Sequence, residues 1–337
     1  MSNAVTPEEL ALLRESARQA LDAVSTGWPD DSWPQSWKAT WTALGEHGLW
    51  STIEPPDGSL AAAVVVAEEA GRALYPGPVC ETLAATYVLH RLDDGKALSA
   101  VVEGAPAAAL LTTDRMVDAG PAAIDVPLDP AVRVGDQTSL IVMAADGAVF
   151  VTPAGDTSSE TMPSLDVSRD IAQLRLTGPP VRAVASPDPE VEFYGSAARR
   201  LLYCADTLGC VDLVLARTTE YACQRTTFGS PIGKYQAVAH RLVDHAITAE
   251  QMRLLLDMAV GAFDRRSEDV ALRVATAETF FAGRGVDLIS DCIQLCGAIG
   301  FTWEFGHHFY LRRVAANAAL AGGTARPQQR LAAVAPW

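Results

Sequence analysis

The short block from Arg225 to Gln236 combines side chains that could bind an anionic, aromatic ligand. It reads Arg-Thr-Thr-Phe-Gly-Ser-Pro-Ile-Gly-Lys-Tyr-Gln, and its glycines and proline interrupt two long helical patterns. Arg225 is a permanent cation with a planar fork suited to phosphate. Phe228 offers an aromatic face, and Gln236 provides an amide at a helix start. Taken alone, the block fits either a ligand site or a plain connector between helices.

A second block of similar character follows further along the chain. It reads Gln294-Leu-Cys-Gly-Ala-Ile-Gly-Phe-Thr-Trp-Glu304 and precedes Tyr310-Leu-Arg-Arg313. The order is Arg-x-x-Phe-Gly-x-x-Ile…Gln, a long helical stretch, Gln-x-x-Gly-x-x-Gly-Phe-x-x-Glu and then an aromatic-x-Arg. This order and spacing resemble the C-terminal domain of the acyl-CoA dehydrogenase family. The resemblance is strong over about 190–325 and weaker over the rest of the chain.

The spacing of apolar residues predicts the elements that carry these two blocks. Apolar side chains that recur at three and four residues fill one face of a helix. They indicate long helices with short connections, as in a bundle, over 196–224, 235–264, 267–298 and 307–321.

The first part of the chain is predicted to be helical and the middle part to be β-structure. Thr6, Pro7 and two acids have the composition of a helix start, and helical periodicity continues to about residue 92. Short β-type runs separated by Gly, Pro and Asp replace it from about residue 97. We therefore predict a mainly α fold with a small β domain, similar to that of acyl-CoA dehydrogenases. Its parts are an N-terminal helical domain (1–96), a shortened middle β-barrel domain (97–190) and a C-terminal four-helix bundle (191–337).

The composition argues against several classes of protein. With 49% hydrophobic and 20% charged residues, the 337-residue chain is expected to be globular. A formal net charge of −15 argues against nucleic acid as a partner. No apolar run is long enough for a membrane span and no secretory signal is visible, so we expect a cytoplasmic protein that binds no membrane. The 6 cysteines form no Cys-x-x-Cys pair, which indicates reduced thiols and no metal site.

The resemblance implies a flavoprotein that oxidises acyl-CoA thioesters at the Cα–Cβ bond with bound FAD. In the family, a carboxylate removes the α proton and the flavin accepts the β hydride. A flavin shared between subunits implies at least a dimer, and the family is commonly tetrameric. The residues that the resemblance assigns to flavin, several of them to that of a neighbouring subunit, are Arg225, Thr227, Phe228, Gln236, Gln294, Gly297, Ala298 and Thr324.

Two features of the family are missing from this sequence. The usual base is the Glu of a Tyr-Glu-Gly-Thr segment, where this chain has Ala321-Gly-Gly-Thr324, and a minority of the family carries it at the position of Arg199. Neither Gly322 nor Arg199 can accept a proton. The flavin-wrapping Thr-Glu-Pro-x-Ala-Gly-Ser-Asp and Trp-x-Thr-Asn-Gly segments are also not found. The nearest stretch, Thr112-Thr-Asp-Arg-Met116, does not match them.

Asp206 is the remaining candidate for a catalytic base. It lies two helical turns after Arg199 on the same predicted face, and burial beside a flavin would raise the pKa of its carboxyl group. The alternative is a structural aspartate paired with Arg199, Arg200 or the backbone. His307 and His308 begin a predicted helix and are expected at the surface or at an interface.

Three functions remain open from the sequence. The first is the base-less subunit of a heteromeric acyl-CoA dehydrogenase, paired with a longer paralogue. This hypothesis follows from a resemblance to the shortened subunits of actinobacterial enzymes that shorten steroid side chains, to which the Gly-Phe-Thr-Trp-Glu spelling at 300–304 is also similar. The second is a homo-oligomeric enzyme of the same fold with altered chemistry. The third is a flavin-free binding or scaffold protein.

Overall fold

The computed structural model describes most of the helical chain and the central parts of its strands. The described residues are 5–25, 27–30, 32–53, 59–92, 108–112, 124–128, 130–132, 139–143, 149–153, 157–178, 182–183 and 190–336. Residues 113–116, which were compared above with a flavin-wrapping segment, lie outside these ranges. The predicted boundary at 96/97 also lies outside them, so the domain limits remain a prediction.

Helices dominate the described chain and confirm the predicted mainly α fold. Helix α1 begins with a capping box, in which Thr6 accepts a hydrogen bond from the Glu9 N–H and the Glu9 carboxylate accepts one from the Thr6 N–H. No helix in the described ranges is long and apolar enough to cross a bilayer. The helices are α1 (Pro7–Val24), α2 (Trp33–Glu46), α3 (Leu60–Arg72), α4 (Val79–Arg91), α5 (Val191–Gln224), α6 (Gln236–Asp264), α7 (Val270–Cys296), α8 (His307–Leu320) and α9 (Ala325–Val334).

The middle of the chain forms two small sheets, which confirms the predicted change to β-structure. The strands are β1 (Ala108–Thr112), β2 (Ile124–Pro127), β3 (Ala131–Val132), β4 (Ser139–Met143), β5 (Val149–Pro153), β6 (Thr157–Thr161), β7 (Ile171–Gly178) and β8 (Arg182–Ala183). One sheet has the order β1-β4-β5-β8, with β1 and β4 parallel. In the other, β7 lies between β2 and β3 and also pairs with β6. No ladder between the described strands joins the two sheets, so closure into a barrel remains a prediction.

Helix α5 is the centre of the molecule. It packs against α3 and α4 on one side and against α6, α7 and α8 on the other. Helices α5 and α6 run antiparallel, since Asp212 of α5 pairs with Arg253 of α6 while Glu190 before α5 pairs with Arg266 after α6. Arg241 near the start of α6 pairs with Asp291 near the end of α7, so these two helices are antiparallel as well. The predicted helices thus form an antiparallel bundle.

Two glycines allow α3 and α5 to cross at backbone contact. A Cβ built on Gly71 would lie 2.0 Å from the carbonyl oxygen of Asp206, and one on Gly209 would lie 1.9 Å from that of Glu68. No side chain fits at such distances. This crossing therefore requires glycine on both helices, and it fixes the N-terminal helices against the bundle.

We expect Gly209→Ala to lower the free energy of unfolding by about 1–3 kcal/mol or more, because two helix backbones must separate to admit the methyl group. Urea unfolding followed by circular dichroism measures the change. Gly283→Ala in α7 is the matched control, because no atom lies within 4 Å of its added Cβ. There, alanine should stabilise the helix by about 0.5–1 kcal/mol. Equal effects of the two substitutions would contradict the close crossing.

Candidate functional site

The two blocks identified from the sequence lie at the same end of the helical bundle. Thr218, near the end of α5, contacts the start of α8 through His307 Nε2 at 3.2 Å. It also lies 3.9 Å from the Cys296 sulfur at the end of α7. We call the surface formed here by residues 225–236 and 294–304 the hairpin end.

A tight β-hairpin projects from the hairpin end. Strands β9 (Thr226–Thr227) and β10 (Ser230–Pro231) pair antiparallel, and Phe228 and Gly229 between them have φ angles of 48° and 82°. Positive φ at both central residues is typical of a two-residue hairpin turn. The Tyr235 hydroxyl donates to the Thr227 carbonyl at 2.8 Å and braces the hairpin from the side.

Phe228 is both strained and exposed. A bulky residue rarely adopts a left-handed conformation, because its Cβ crowds the backbone there, and its side chain is 99% exposed. Neither the strain nor the exposure of an aromatic ring stabilises this chain by itself. The strain and the exposure together make Phe228 a candidate contact residue for a ligand or another chain.

Three polar side chains of the hairpin end are exposed and have no internal partner within the described chain. In the part of the chain that the structure describes, the exposed side chains of Arg225, Gln236 and Gln294 make no hydrogen bond or ion pair. Gly297 has a φ of 67°, and no atom lies within 4 Å of a Cβ built on it, so its backbone is open to close approach. Ala298 beside it is also exposed. One cation, two amides and an aromatic ring thus share a surface that can accept an anionic, flat ligand.

The buried His307 lies beneath the hairpin end and contacts Thr218 of α5. His307 is fully buried rather than at the surface, contrary to the expectation from its position at a helix start. Burial, with the charge of nearby Arg217, lowers the pKa of His307 to about 4. The imidazole is therefore neutral at physiological pH, and its contact with Thr218 ties α8 to α5.

The usual position of the catalytic base lies at the opposite end of α8. Gly322 has a φ of 105°, and a Cβ built on it would lie 2.8 Å from Cδ of Arg326. The backbone here has a conformation that only glycine adopts readily. Thr324, at the start of α9, is exposed at this same end and so does not share a surface with Arg225 and Phe228.

The second known position of the base holds a buried cation. Arg199 of α5 lies over the ring of Tyr203, with 5.9 Å from its guanidinium carbon to the ring centroid. The Tyr203 hydroxyl donates to the buried carboxylate of Glu81 on α4, which also accepts from the Val132 N–H at 3.3 Å. Burial and then the charge of Glu81 raise the pKa of Tyr203 well above its usual value. Glu81 is the carboxylate near Arg199 that sequence reasoning missed, and it is occupied by these two donors.

Asp206 is fully buried and its carboxylate is surrounded by hydrogen-bond donors. Arg169 Nη2 lies 2.7 Å from one oxygen and Arg313 Nη1 3.2 Å from the same oxygen, while Asn317 Nδ2 lies 2.6 Å from the other. These partners replace the Arg199 and Arg200 that the sequence suggested; Arg200 pairs with Glu278 instead. With both oxygens engaged, the geometry favours a structural role for Asp206 over that of a base.

Arg313 extends this network to the rest of the molecule. Its Nε donates to Asp166 at 3.0 Å, and its Nη2 donates to the carbonyls of Leu74 and Tyr75, each at 3.1 Å. The network thus joins the segment after α3, the β6–β7 connection, α5 and α8. We call it the buried clamp, formed by the side chains of Asp166, Arg169, Asp206, Arg313 and Asn317.

Comparisons with known proteins agree with this arrangement. Residues 196–334 match the family model of the acyl-CoA dehydrogenase C-terminal domain. The chain is 29% identical over 331 residues to acyl-CoA dehydrogenase IpdE2 of Mycobacterium tuberculosis, which covers 93% of each protein. It is 30% identical over 317 residues to acyl-CoA dehydrogenase FadE34 of the same organism, a match that spans 89% of this chain but 42% of FadE34. Residues 196–334 are therefore an acyl-CoA dehydrogenase C-terminal domain, and the rest of the chain is similar to relatives of the same family.

A solved structure extends the likeness of the fold to the whole chain. One chain of the ChsE4–ChsE5 complex from Mycobacterium tuberculosis superposes with a TM-score of 0.80 at 23% identity, over 98% of this chain and 99% of that chain. At this identity the likeness concerns the fold. The order of helical region, small β region and helical bundle is therefore that of the family.

Asp206→Asn tests the two roles of this residue. We expect the free energy of unfolding to fall by about 3–5 kcal/mol, because buried Arg169 loses its closest anionic partner. Asp212→Asn on the same helix is the control: its side chain is 41% exposed, and a surface pair contributes less than about 1 kcal/mol. Urea unfolding of both variants gives the comparison. An Asp206→Asn protein of unchanged stability would contradict the structural role.

Proposed function

We propose that this chain is the base-less subunit of an FAD-dependent acyl-CoA dehydrogenase, in which it supplies one face of a flavin site that another chain completes. The observation that carries the proposal is the hairpin end. The Arg225 cation, the amides of Gln236 and Gln294 and the strained ring of Phe228 are all exposed, and none of these side chains has an internal hydrogen-bond or ion-pair partner within the described chain.

The residues at the hairpin end fit a flavin held mainly by another chain. The guanidinium of Arg225 would hold the diphosphate, and Thr227 and Phe228 would lie against the cofactor. Gln236 would face its adenine end. Gln294, with the open backbone at Gly297 and Ala298, would approach from the next loop. Thr324 would face a different part of the assembly, because the length of α8 separates it from Arg225.

The chemistry expected of the assembly is α,β-desaturation of an acyl-CoA thioester, with bound flavin supplying the capacity to accept a hydride. This chain would orient and electrostatically support the cofactor, but it offers no free proton acceptor at Gly322, Arg199 or Asp206. Gly322 has no side chain, Arg199 is a cation and Asp206 is engaged by three donors. The carboxylate that removes the α proton is therefore expected on the other chain.

The relatives support a site divided between two chains. IpdE2 is similar to this chain over nearly its whole length, so a chain of this size occurs elsewhere in the family. The match takes up 42% of FadE34. More than half of FadE34 lies outside it, which leaves room for a second module of comparable size. The ChsE4–ChsE5 structure is described as a complex, and a similar assembly would place a longer paralogue against this chain.

Arg225→Ala should reduce the flavin content of the assembled complex. Loss of a charge-assisted contact to the diphosphate costs on the order of 1.5–3 kcal/mol, which weakens flavin retention at least tenfold. The absorbance ratio of flavin to protein after gel filtration measures the effect. Arg265→Ala is the control, because Arg265 is an exposed cation at the other end of α6. Unchanged flavin content in Arg225→Ala would contradict the assignment.

The absorption spectrum and the mass of the chain purified alone separate the proposal from its alternatives. We expect a colourless protein that becomes yellow only when it is co-purified with a longer family member. A yellow homo-oligomer would instead indicate a complete site made by this chain alone. A protein that stays colourless with every partner would indicate a flavin-free scaffold.

Gly322→Glu should not create dehydrogenase activity in the isolated chain. A glutamate at a φ of 105° is strained and meets Arg326, so we expect a loss of about 1–3 kcal/mol in stability. The flavin site also remains incomplete in this variant. An acyl-CoA-dependent dye-reduction assay checks this, and activity in the isolated variant would refute the division of the site between chains.

A further inference from the structure

Trp28 lies in the connection between α1 and α2 and contacts a part of the chain that is distant in sequence. Its indole Nε1 donates a hydrogen bond to the main-chain carbonyl of Glu304 at 3.0 Å. Its ring stacks on Phe309 of α8, with ring centroids 5.6 Å apart and an angle of 24° between the planes. Trp28 therefore attaches the N-terminal helical region to the segment that joins α7 to α8, which we call the 297–306 loop.

Two further contacts restrain the indole ring of Trp28. The guanidinium carbon of Arg217 on α5 lies 5.3 Å from the ring centroid, a distance at which a cation is attracted to an aromatic face. In addition, Gly306 has a φ of 75°, and a Cβ built on it would lie 2.3 Å from the indole. Glycine thus allows the backbone before α8 to approach the indole this closely.

Hydrogen bonds within the 297–306 loop connect its two halves. The Thr302 N–H and hydroxyl both donate to the Ile299 carbonyl, at 3.0 Å and 2.9 Å. The Thr302 hydroxyl also accepts from the Phe305 N–H at 3.3 Å, and the Thr302 carbonyl accepts from the Gly306 N–H at 3.3 Å. A displacement of the carbonyl that accepts from the indole therefore passes to the first residues of the loop.

We propose that Trp28 is a positioning residue for the shared flavin, because it holds the 297–306 loop so that the open backbone at Gly297 and Ala298 can approach the cofactor. The inference rests on the proposed function for the presence of flavin. It goes beyond that function by assigning a part in cofactor retention to the N-terminal helical region, which contains none of the predicted flavin contacts.

The contacts of Trp28 suit this role because they depend on direction as well as distance. A hydrogen bond weakens steeply as its angle departs from linearity, and paired rings prefer a limited set of arrangements. Trp303, within the loop, packs edge-on against Phe309, with ring centroids 4.8 Å apart. Loss of Trp28 would leave this second contact in place, so the loop would stay on α8 but lose its fixed orientation.

Trp28→Phe and Trp28→Ala in the full chain test the attachment of the loop. Phenylalanine keeps a ring against Phe309 but removes the Nε1 donor, and alanine removes both. We expect amide hydrogen exchange within 297–306 to be about two- to tenfold faster in Trp28→Phe and faster still in Trp28→Ala. Exchange within 225–236 should be unchanged in both variants. If Trp28 only stabilised the fold as a whole, exchange would rise in the core helices as well, and the inference would be overturned.

Trp33→Phe is the matched control. Trp33 Nε1 also donates to a main-chain carbonyl, that of Leu74 at 3.3 Å, which lies outside the 297–306 loop. The substitution therefore removes the same kind of hydrogen bond from the same region of the chain. We expect it to leave exchange within 297–306 unchanged, and circular dichroism confirms that all variants are folded.

The complex of this chain with a longer family member gives the second measurement. Titration of the flavin-depleted complex with FAD, followed by flavin fluorescence, yields the dissociation constant. We expect this constant to rise about two- to tenfold in Trp28→Phe and further in Trp28→Ala, and to stay unchanged in Trp33→Phe. The partial effect of the phenylalanine variant separates the hydrogen bond from the ring contact.

The outcomes for Trp28 and for the flavin site can be told apart. Unchanged exchange within 297–306 in Trp28→Ala would overturn the inference. Faster exchange with unchanged flavin affinity would also overturn it, and the proposed function would stand if Arg225→Ala still weakened binding. Flavin affinity that neither Arg225→Ala nor Trp28→Ala changes would refute the flavin contacts of this chain, and the role of Trp28 with them.

Discussion

The pairing of Asp206 with two buried arginines is the interaction on which the rest of the structure depends. Removing these charges from water is expensive, and the cost is offset only when every donor and acceptor finds a well-placed partner. Such a network tolerates one arrangement of the segments that contribute to it. Because those segments come from the α3 end, the β6–β7 connection, α5 and α8, the buried clamp fixes the β region against both helical regions. The same hydrogen bonds favour a structural role for Asp206.

The sequence predicts the helices and the two loop blocks because these depend on local patterns. Apolar periodicity locates α5 to α8, and glycine and proline mark the turns between them. The partners of Asp206 could not be found in this way: Arg169 and Arg313 lie far from it in sequence, whereas Arg199 and Arg200 are its helical neighbours. Periodicity likewise cannot tell whether an apolar face of α6 is covered by this chain or by another. A motif also does not show which end of the bundle each of its residues occupies, and Thr324 lies at the far end of α8 from Arg225.

The two ends of the bundle differ in backbone strain and in unpaired polar groups. Gly322, at the usual position of the base, has a positive φ angle that disfavours any side chain. The Arg326 side chain also occupies the space that a Cβ atom would need. At the hairpin end, by contrast, the chain holds Phe228 in a strained conformation and leaves Arg225 without an internal partner within the described residues. Strain and unused hydrogen-bonding capacity lower the stability of an isolated protein. Their presence at one end, together with a relaxed glycine at the other, fits a chain that supports a cofactor site without performing the proton transfer.

The division of a site between two chains requires that each chain find the other rather than itself. Apolar contacts alone cannot ensure this, because an apolar helix face associates with any similar face.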